Sequence, residues 1–426
     1  MSLLRSVPLG AVGLLYAALL GATPSSNPPT PALMRASAAT PWQDAVRAVW
    51  AASPQLQAAH AELQAAQARA RAAAQPLYNP AITFDVENAD VDRRTAGLGL
   101  TLDLSGKRRA RSAQGEAGLQ RSELDYELQR RDLAARWLKA WSASALSSRQ
   151  RELGQRRLVL MQRFDSLAAQ RLNVGDIGSP ERDLAGLALG EAQLQQAGLI
   201  SGEAAAKASL LALTGDAEIA SPALPERLPP HERVAARPLD ALPELQRAQA
   251  QLAERDASVQ VAERARLPDP TISLTGGQVR AGSRTDRVIG LGVAIPLPVL
   301  NNGRAEVAAA RAEADAAAAS VQAERQRARA ALQETQARYD ALYQAAQAFR
   351  DGRAAAFEPR TALLEKLWRA GEISTSDYLV QLKQSLDTAL SGLELESQAW
   401  QAWFDYLSAA GRLTDWIDDR NQDDVR

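Results

Sequence analysis

The sequence predicts a mainly α-helical protein with a small β part, in which one structural unit occurs twice. Two short motifs support this prediction because each returns in the same order. Asn79-Pro80-Ala81-Ile82 returns as Asp269-Pro270-Thr271-Ile272, and Gly97-Leu98-Gly99-Leu100 returns as Gly290-Leu291-Gly292-Val293. In each copy the two motifs precede a helical stretch far longer than the helices of ordinary domains. The copies lie about 190 residues apart, which indicates a duplicated domain rather than a solenoid of short units.

The composition excludes several classes of function. Aromatic residues make up 5% of the 426 residues and alanine is abundant, which favours closely packed helices. The 49 basic and 50 acidic residues are interleaved along the chain, so we expect no nucleic-acid partner. Cysteine is absent, which rules out a thiolate metal site and removes the acceptor for an N-terminal lipid anchor.

The first residues have the pattern of a secretory signal. Arg5 precedes an apolar stretch that ends in the small residues Gly21-Ala22. We predict a signal peptide over residues 1–22 and a loose leader, rich in proline, serine and alanine, over residues 23–40. The chain is therefore expected to be exported, and its insertion into a membrane would have to come from strands.

The first repeat is predicted over residues 41–215. It starts with a helix from Trp42 to Gln75 that is interrupted at Pro54. Apolar and polar residues then alternate over residues 81–88 and 96–104, which predicts two strands joined by a charged loop. Each strand would have one apolar and one polar face.

A long helix follows the hairpin in each repeat, roughly from Lys107 to Leu172 and from Arg304 to Ala370. Each would be about 100 Å long if unbroken. Pro359 predicts a kink or break in the second one. Residues at heptad spacing predict coiled-coil contacts: Leu146, Leu153, Leu160 and Leu167; Leu342, Phe349, Ala356 and Leu363; and Leu379, Leu386, Leu393, Trp400 and Leu407.

The long helices are expected to end in tight reversals where glycine takes a positive φ. These reversals are Asn173-Val174-Gly175-Asp176 and Ala370-Gly371-Glu372. Returning helices then run to about Leu213 and Ala410. A proline-rich connector is predicted over residues 216–242, the second repeat over 243–413 with strands at about 271–279 and 288–297, and an acidic tail over 414–426.

Four strands form an open sheet, whose edge groups cannot remain unpaired in lipid. Three copies would supply twelve strands, an even number within the range of outer-membrane barrels. The fold class predicted is therefore a protomer with a small transmembrane β part. It would form a trimer in which a twelve-stranded β-barrel continues into a hollow α-barrel.

This layout resembles the TolC-type outer-membrane efflux channels over residues 42–413. Two segments resemble in particular the outer-membrane subunit of cobalt-zinc-cadmium RND efflux systems: Asn79-Pro80-Ala81-Ile82-Thr83-Phe84-Asp85-Val86-Glu87-Asn88 and Leu102-Asp103-Leu104-Ser105-Gly106-Lys107-Arg108. The resemblance implies a homotrimer in outer-membrane lipid that crosses the periplasm to a periplasmic adaptor protein and an inner-membrane RND pump. It also implies a passive channel that exports divalent heavy-metal cations.

The resemblance also implies two sets of functional residues. Family members close the periplasmic mouth with acids beyond the second reversal; the first acid corresponds to Asp377, whereas the second falls on Val380. Asp377 is therefore the gate candidate, and a capping role is the alternative. The adaptor-docking candidates are the residues of the two reversals: Arg171, Leu172, Val174, Gly175, Asp176, Arg369, Ala370, Gly371 and Glu372.

Other functions remain open at the level of sequence. A drug channel or a type I protein-secretion channel would have the same layout. A periplasmic adaptor without a pore would carry lipoyl-like modules, which the sequence does not contain. We predict neither enzymatic activity nor a cofactor, and no metal site, because His60 and His231 lie outside any metal-ligand spacing.

Overall fold

The computed structural model describes residues 41–214, 219, 221–231, 233–352 and 357–418. The predicted signal peptide and leader lie outside the described residues, as do residues 419–426 of the predicted tail. Within the described part, no helix combines the length and the apolar character needed to cross a membrane.

The first repeat folds in the predicted order. Its elements are α1 (Pro41–Ala52), α2 (Pro54–Ala73), β1 (Ala81–Glu87), β2 (Val91–Thr101), α3 (Lys107–Asn173) and α4 (Ser179–Thr214). The predicted interruption at Pro54 is confirmed, because Pro54 occupies the start of α2 and Ser53 before it is extended. Proline suits that position since its missing N–H would have no helical partner there.

The second repeat follows a connector whose described residues are irregular except for a 3₁₀ turn at Leu239–Ala241. Its elements are α5 (Pro243–Ala265), β3 (Thr271–Ala281), β4 (Arg284–Ala294), α6 (Arg304–Asp351), α7 (Phe357–Arg369), α8 (Thr375–Ala409) and α9 (Leu413–Ile417).

The four strands form one antiparallel sheet in the order β1-β2-β3-β4. The central pairing of β2 with β3 joins the two repeats, from Val91 opposite Ala281 to Thr101 opposite Thr271. Strands β1 and β4 are the edges of the sheet. Each repeat therefore contributes one hairpin, and the chain alone leaves both edges unpaired.

Two strands begin earlier than their sequence pattern predicts. Strand β2 starts at Val91 instead of residue 96, and β4 starts at Arg284 instead of residue 288. The charged residues of the predicted hairpin tips belong to the strands, because backbone pairing such as Arg93 opposite Val279 continues where apolar alternation stops. Only Gly282-Ser283 separate β3 from β4, and Gly282 has a φ of 59°.

The same two strands also end earlier than predicted. Strand β2 ends at Thr101 instead of residue 104, and β4 ends at Ala294 instead of residue 297. Leu102 N–H still donates to Pro270 O at 2.9 Å, but Pro270 has no N–H to return. Pro296 likewise cannot donate, so the ladder stops at both places.

The first long helix, α3, is continuous over 67 residues. It starts after Gly106, which has a φ of 76°. The Asp103 carboxylate accepts the N–H groups of Lys107 and Arg108 at 2.8 and 2.7 Å. These bonds satisfy donors that the first helical turn would otherwise leave unpaired.

The second long helix is broken, as Pro359 predicts. Helix α6 ends at Asp351 and α7 begins at Phe357, which places Pro359 in the first turn of α7. The break changes the helix phase, so the heptad prediction is wrong beyond it. Leu364 is buried at 6% exposure, whereas the predicted Leu363 is 56% exposed.

A buried cluster, here called the junction cluster, connects the repeats where the sheet meets the helices. The Asp269 side chain is 3% exposed, and its Oδ2 lies 2.8 Å from Lys107 Nζ. Tyr78 Oη donates to the same oxygen at 2.7 Å, and Ser105 Oγ donates to Oδ1 at 3.3 Å. The carboxylate of the second repeat is thus held by three side chains of the first.

Within the described residues, the helices pack in pairs around two large apolar cores and a small one formed by Leu245, Ala248 and Val321. Helix α3 packs against α4, α6 and α7 pack against α8, and α5 lies between α3 and α6. One large core surrounds Trp137, Trp141 and Trp403, next to α1 and α9. The other large core lies beside the two helical reversals.

Candidate functional site

The first reversal, here called the first tip, comprises residues 171–178. Gly175 has a φ of 78°. Its N–H donates to Leu172 O at 3.0 Å, and the N–H of Asp176 donates to Arg171 O at 2.8 Å. This pair of bonds is the Schellman motif, which satisfies the last carbonyls of a helix and favours glycine.

The second tip comprises residues 369–374 and repeats this geometry. Gly371 has a φ of 76° and donates to Trp368 O at 3.0 Å, while Glu372 donates to Leu367 O at 3.0 Å. The predicted reversals are therefore confirmed at both tips.

The residues predicted to dock an adaptor lie together at these tips. Val174 is 79% exposed, although a large apolar side chain would gain from burial. Arg171 and Leu172 are half-buried, and the remaining candidates are exposed: Gly175, Asp176, Arg369, Ala370, Gly371 and Glu372. The tips thus present small and apolar groups with charges at their margins.

An aromatic cluster, which the sequence analysis missed, holds the two tips together. Trp368 of α7 lies 4.6 Å from Phe164 of α3 and 5.2 Å from Tyr378 of α8, measured between ring centroids. The Arg171 guanidinium lies 4.9 Å from the Trp368 ring centroid, within the range of a cation–π contact. The only sequence signal was aromatic residues close to both predicted reversals.

Asp377 lies in the first turn of α8, beside the second tip. Its N–H donates to Ser374 Oγ at 3.0 Å, and the same hydroxyl donates to Asp377 Oδ2 at 2.7 Å. Ser374 is therefore the N-cap of α8, and the Asp377 carboxylate accepts the hydrogen bond of the capping hydroxyl from the first turn. The Asp377 side chain is also exposed, and Val380 on the next turn is 62% exposed.

A polar network connects α4 with α8 farther from the tips. Lys383 Nζ donates to Glu191, and this hydrogen bond lowers the pKa of the Glu191 carboxyl. Arg157, 5% exposed at its side chain, lies 3.9 Å from both Glu191 and Asp387. Because the folded pKa of Glu191 is depressed, its contribution to stability is present above pH 4.5 and is lost as the pH falls through the folded value.

The sheet exposes a broad apolar face at the opposite end from the tips. Ile289, Leu291 and Val293 of β4 are 86%, 76% and 63% exposed. Exposed apolar residues continue the same face on the other strands: Ile82, Phe84, Leu98, Leu100, Ile272 and Leu274. A contiguous patch of this kind marks a surface that another apolar phase or another protein covers.

His60 and His231 make contacts with different residues. His231 stacks on Tyr343 at 4.2 Å between ring centroids, and the His60 ring lies within 3.4 Å of Gln64 Nε2. Among the residues that the structure describes, no three histidine, aspartate or glutamate side chains are grouped so that they could hold a metal ion.

Known proteins resemble this chain both in family sequence pattern and in individual sequence. The model of the outer membrane efflux protein family matches residues 46–216 and 237–412. The chain is also 26% identical over 246 residues to the cobalt-zinc-cadmium resistance protein CzcC of Cupriavidus metallidurans. That similarity covers 55% of this chain and little more than half, 57%, of CzcC.

Solved structures share the fold at low sequence identity. A membrane protein from Pseudomonas aeruginosa superposes with a TM-score of 0.74 and 19% identity, over 87% of this chain and 93% of that chain. The CmeC outer membrane channel of Campylobacter jejuni gives 0.72 and 16%, over 90% of each chain. The predicted fold, mainly α-helical with a small antiparallel sheet, is confirmed.

Proposed function

The chain belongs to the outer membrane efflux protein family, and on that basis we propose that it is the passive channel subunit of a tripartite, proton-driven efflux pump. In this proposal three identical chains form one channel. The sheet lies in outer-membrane lipid, and the helices extend through the periplasm.

The observation that carries the proposal is the open sheet with its exposed apolar face. The unpaired N–H and C=O groups of β1 and β4 would each cost several kcal/mol in lipid. Pairing β4 of one copy with β1 of the next removes both edges. The twelve strands of three copies then close a barrel whose apolar face contacts the acyl chains.

The surface of α4 also supports contact between copies. Leu187 and Leu194 lie one heptad apart and are 72% and 77% exposed. Residues at this spacing share one side of a helix. A neighbouring copy in the helical barrel would bury them.

We assign divalent heavy-metal cations as the cargo, delivered by a periplasmic adaptor and an inner-membrane RND pump. The motifs around Asn79 and Gly106 support this assignment, together with the similarity to CzcC. The export would start from the periplasm or the cytoplasm, and the channel itself would consume no energy.

Deletion of the gene tests the cargo. We expect lower tolerance to zinc, cobalt and cadmium, restored by the wild-type gene on a plasmid, with unchanged tolerance to a panel of drugs. If only the drugs became more toxic, the metal assignment would be wrong and the drug channel would take its place.

The gate is the next part of the proposal. We assign Asp377 to a ring of three carboxylates at the periplasmic mouth, which favours cations and helps to keep the mouth closed. Asp377→Ala is expected to raise single-channel conductance and to reduce cation preference in planar bilayers, because it removes three negative charges from a narrow opening.

Two further variants separate charge from helix capping. Asp377→Asn removes the charge and keeps a polar side chain near Ser374, so it should behave like Asp377→Ala. Ser374→Ala removes the capping hydroxyl, at a cost of about 1 kcal/mol, and keeps the charge. Unchanged conductance and cation preference in Asp377→Asn would contradict the ring and leave the hydrogen bond to the Ser374 cap as the role of Asp377.

The two tips are proposed as the adaptor-docking surface. Gly175 and Gly371 have open space around their Cα atoms, so a bulky side chain there would project toward the adaptor. Replacing both by phenylalanine should abolish cross-linking to the adaptor while trimers persist.

The matched control for the tips is asparagine at both positions. A positive φ costs most residues about 1 to 2 kcal/mol, but asparagine adopts it readily, so this variant adds little bulk and little strain. We expect it to retain most of the cross-linking. Unchanged cross-linking in the phenylalanine variant would count against docking at the tips.

A further inference from the structure

The apolar face of the sheet ends abruptly in a group of arginines. Side chains alternate between the two faces of a strand, and the register assigns each residue to one face. The last apolar row consists of Phe84, Ala96, Gly276 and Ile289, and the next row toward the hairpin ends consists of Val86, Arg94, Gln278 and Arg287. Arg280 follows in the row after that, opposite Asp92.

Arg94, Arg280 and Arg287 lie close together in the register on this face and are here called the arginine row. Since neighbouring strands lie about 4.8 Å apart, the backbones of Arg94 and Arg287 are separated by about 10 Å across β3. Arg280 lies about 7 Å farther along the strands. Three long side chains at these separations can reach one anionic group or two adjacent ones.

The arginine row is not neutralised within the chain. Arg94 and Arg287 have neither an ion pair nor a side-chain hydrogen bond to any residue that the structure describes, and all three arginines are exposed. Arg280 Nε donates to Gly282 O at 3.4 Å. Asp92 is the one carboxylate on this part of the face, which leaves an excess of positive charge beside the apolar residues.

The opposite face of the same strands is different. There Arg284 pairs with Asp286 at 3.1 Å, and Arg93 lies opposite Glu87 in the register. Each arginine on that face thus pairs with an acid or lies directly opposite one, whereas no acid lies directly opposite Arg94 or Arg287 in the register. The positive charge is specific to the face that carries the apolar patch.

We propose that the arginine row binds the phosphate groups of the lipopolysaccharide that forms the outer leaflet. This inference rests on the proposed function, in which the apolar face contacts acyl chains and the hairpin ends point outward. Phosphates of that leaflet lie just beyond the acyl chains, at the level where the row follows Ile289. Arginine suits them because its planar fork donates two parallel hydrogen bonds to a phosphate.

The test uses the purified full-length oligomer and bisphosphorylated lipid A as the probe, with bound lipid counted by native mass spectrometry. We expect R94Q/R287Q to weaken lipid A binding about thirtyfold, from two arginines near an anionic surface. The matched control R93Q/R284Q removes the same number of charges from the same strands on the other face. It should change binding less than twofold.

Further arms identify the source of the phosphate and guard against misfolding. Phosphatidylglycerol and inorganic phosphate should compete weakly with lipid A. R94K/R287K keeps both charges and should bind lipid A within about fivefold of wild type, with the remaining loss due to the missing two-pronged donor. If the double variant does not assemble, the single variants R94Q and R287Q replace it in the test. Each should bind lipid A about fivefold more weakly than wild type.

The outcomes separate this inference from the proposed function. The inference is overturned if R94Q/R287Q and R93Q/R284Q lose lipid A binding equally, or if neither variant loses it. It is also overturned if phosphatidylglycerol or inorganic phosphate binds as well as lipid A. If R94Q/R287Q forms normal trimers and binds lipid A as wild type does, only this inference is contradicted and the proposed function stands. A wild-type chain that forms no membrane oligomer contradicts the proposed function instead.

Discussion

Asp269→Ala is expected to destabilise the folded protein by about 3 to 5 kcal/mol, the cost of removing one partner from a buried ion pair. The substitution leaves Lys107 without its carboxylate 2.8 Å away and leaves Tyr78 Oη without its acceptor. Both side chains belong to the first repeat, so this side-chain connection between the repeats is lost, while the pairing of β2 with β3 remains. Thermal unfolding of the purified protein in detergent measures the change.

Asp269→Asn is the matched control for this prediction. Asparagine keeps an acceptor for Tyr78, and Asn79 occupies the equivalent position of the first repeat. We expect a smaller loss than for alanine, with trimers retained. If alanine and asparagine gave the same stability as wild type, the junction cluster would contribute nothing to the fold.

Trp368→Ala is expected to cost about 3 to 5 kcal/mol, as for other large aromatic side chains removed from a core. Trp368 is 4% exposed and contacts Phe164 and Tyr378 across three helices. Its Nε1 also donates to Thr375 Oγ1 at 3.2 Å. The loss should appear as faster hydrogen exchange at both tips, because the cluster joins them.

Two variants test whether this effect is local. Trp368→Phe keeps an aromatic ring but loses the bond to Thr375 and part of the buried ring surface, so its effect should be smaller than that of alanine. Trp416→Ala removes a ring stacked on Trp42 at 3.9 Å in the other core and should leave tip exchange unchanged. Unaltered exchange at the tips in Trp368→Ala would show that the aromatic cluster does not hold them.

The repeated elements were predictable from sequence because each has a local physical cause. The alternation of apolar and polar residues predicted both hairpins. Gly175 and Gly371 predicted both reversals of the chain. Pro359 gave the break in the second long helix. The resemblance to outer-membrane efflux channels, based on the segments around Asn79 and Gly106, is confirmed by the family match.

The features that sequence reasoning missed depend on contacts between distant parts of the chain. Nothing near Asp269 indicates that Lys107 would lie beside it, since the pairing of β2 with β3 brings them together. The charged starts of β2 and β4 carry no apolar pattern, so only pairing reveals them. Leu364 is buried instead of the predicted Leu363 because the break before α7 changes the helix phase. Counting heptads along the sequence cannot detect such a change.

The same limit applies to the candidate site. The sequence located both tips and Asp377, but the cluster of Phe164, Trp368 and Tyr378 needed the packing of α3 against α7 and α8. The capping bond between Ser374 and Asp377 is local and could have been predicted from their spacing.

We propose that one chain forms only a third of the barrel and becomes stable in lipid by joining two identical copies. The most direct test of this proposal is the mass of the protein extracted from isolated outer membranes, measured by light scattering in detergent with the detergent mass subtracted. We expect a mass of three copies of the chain and no release of the protein without detergent. A monomer recovered in the aqueous fraction, with the sheet edges of β1 and β4 unpaired, would contradict it.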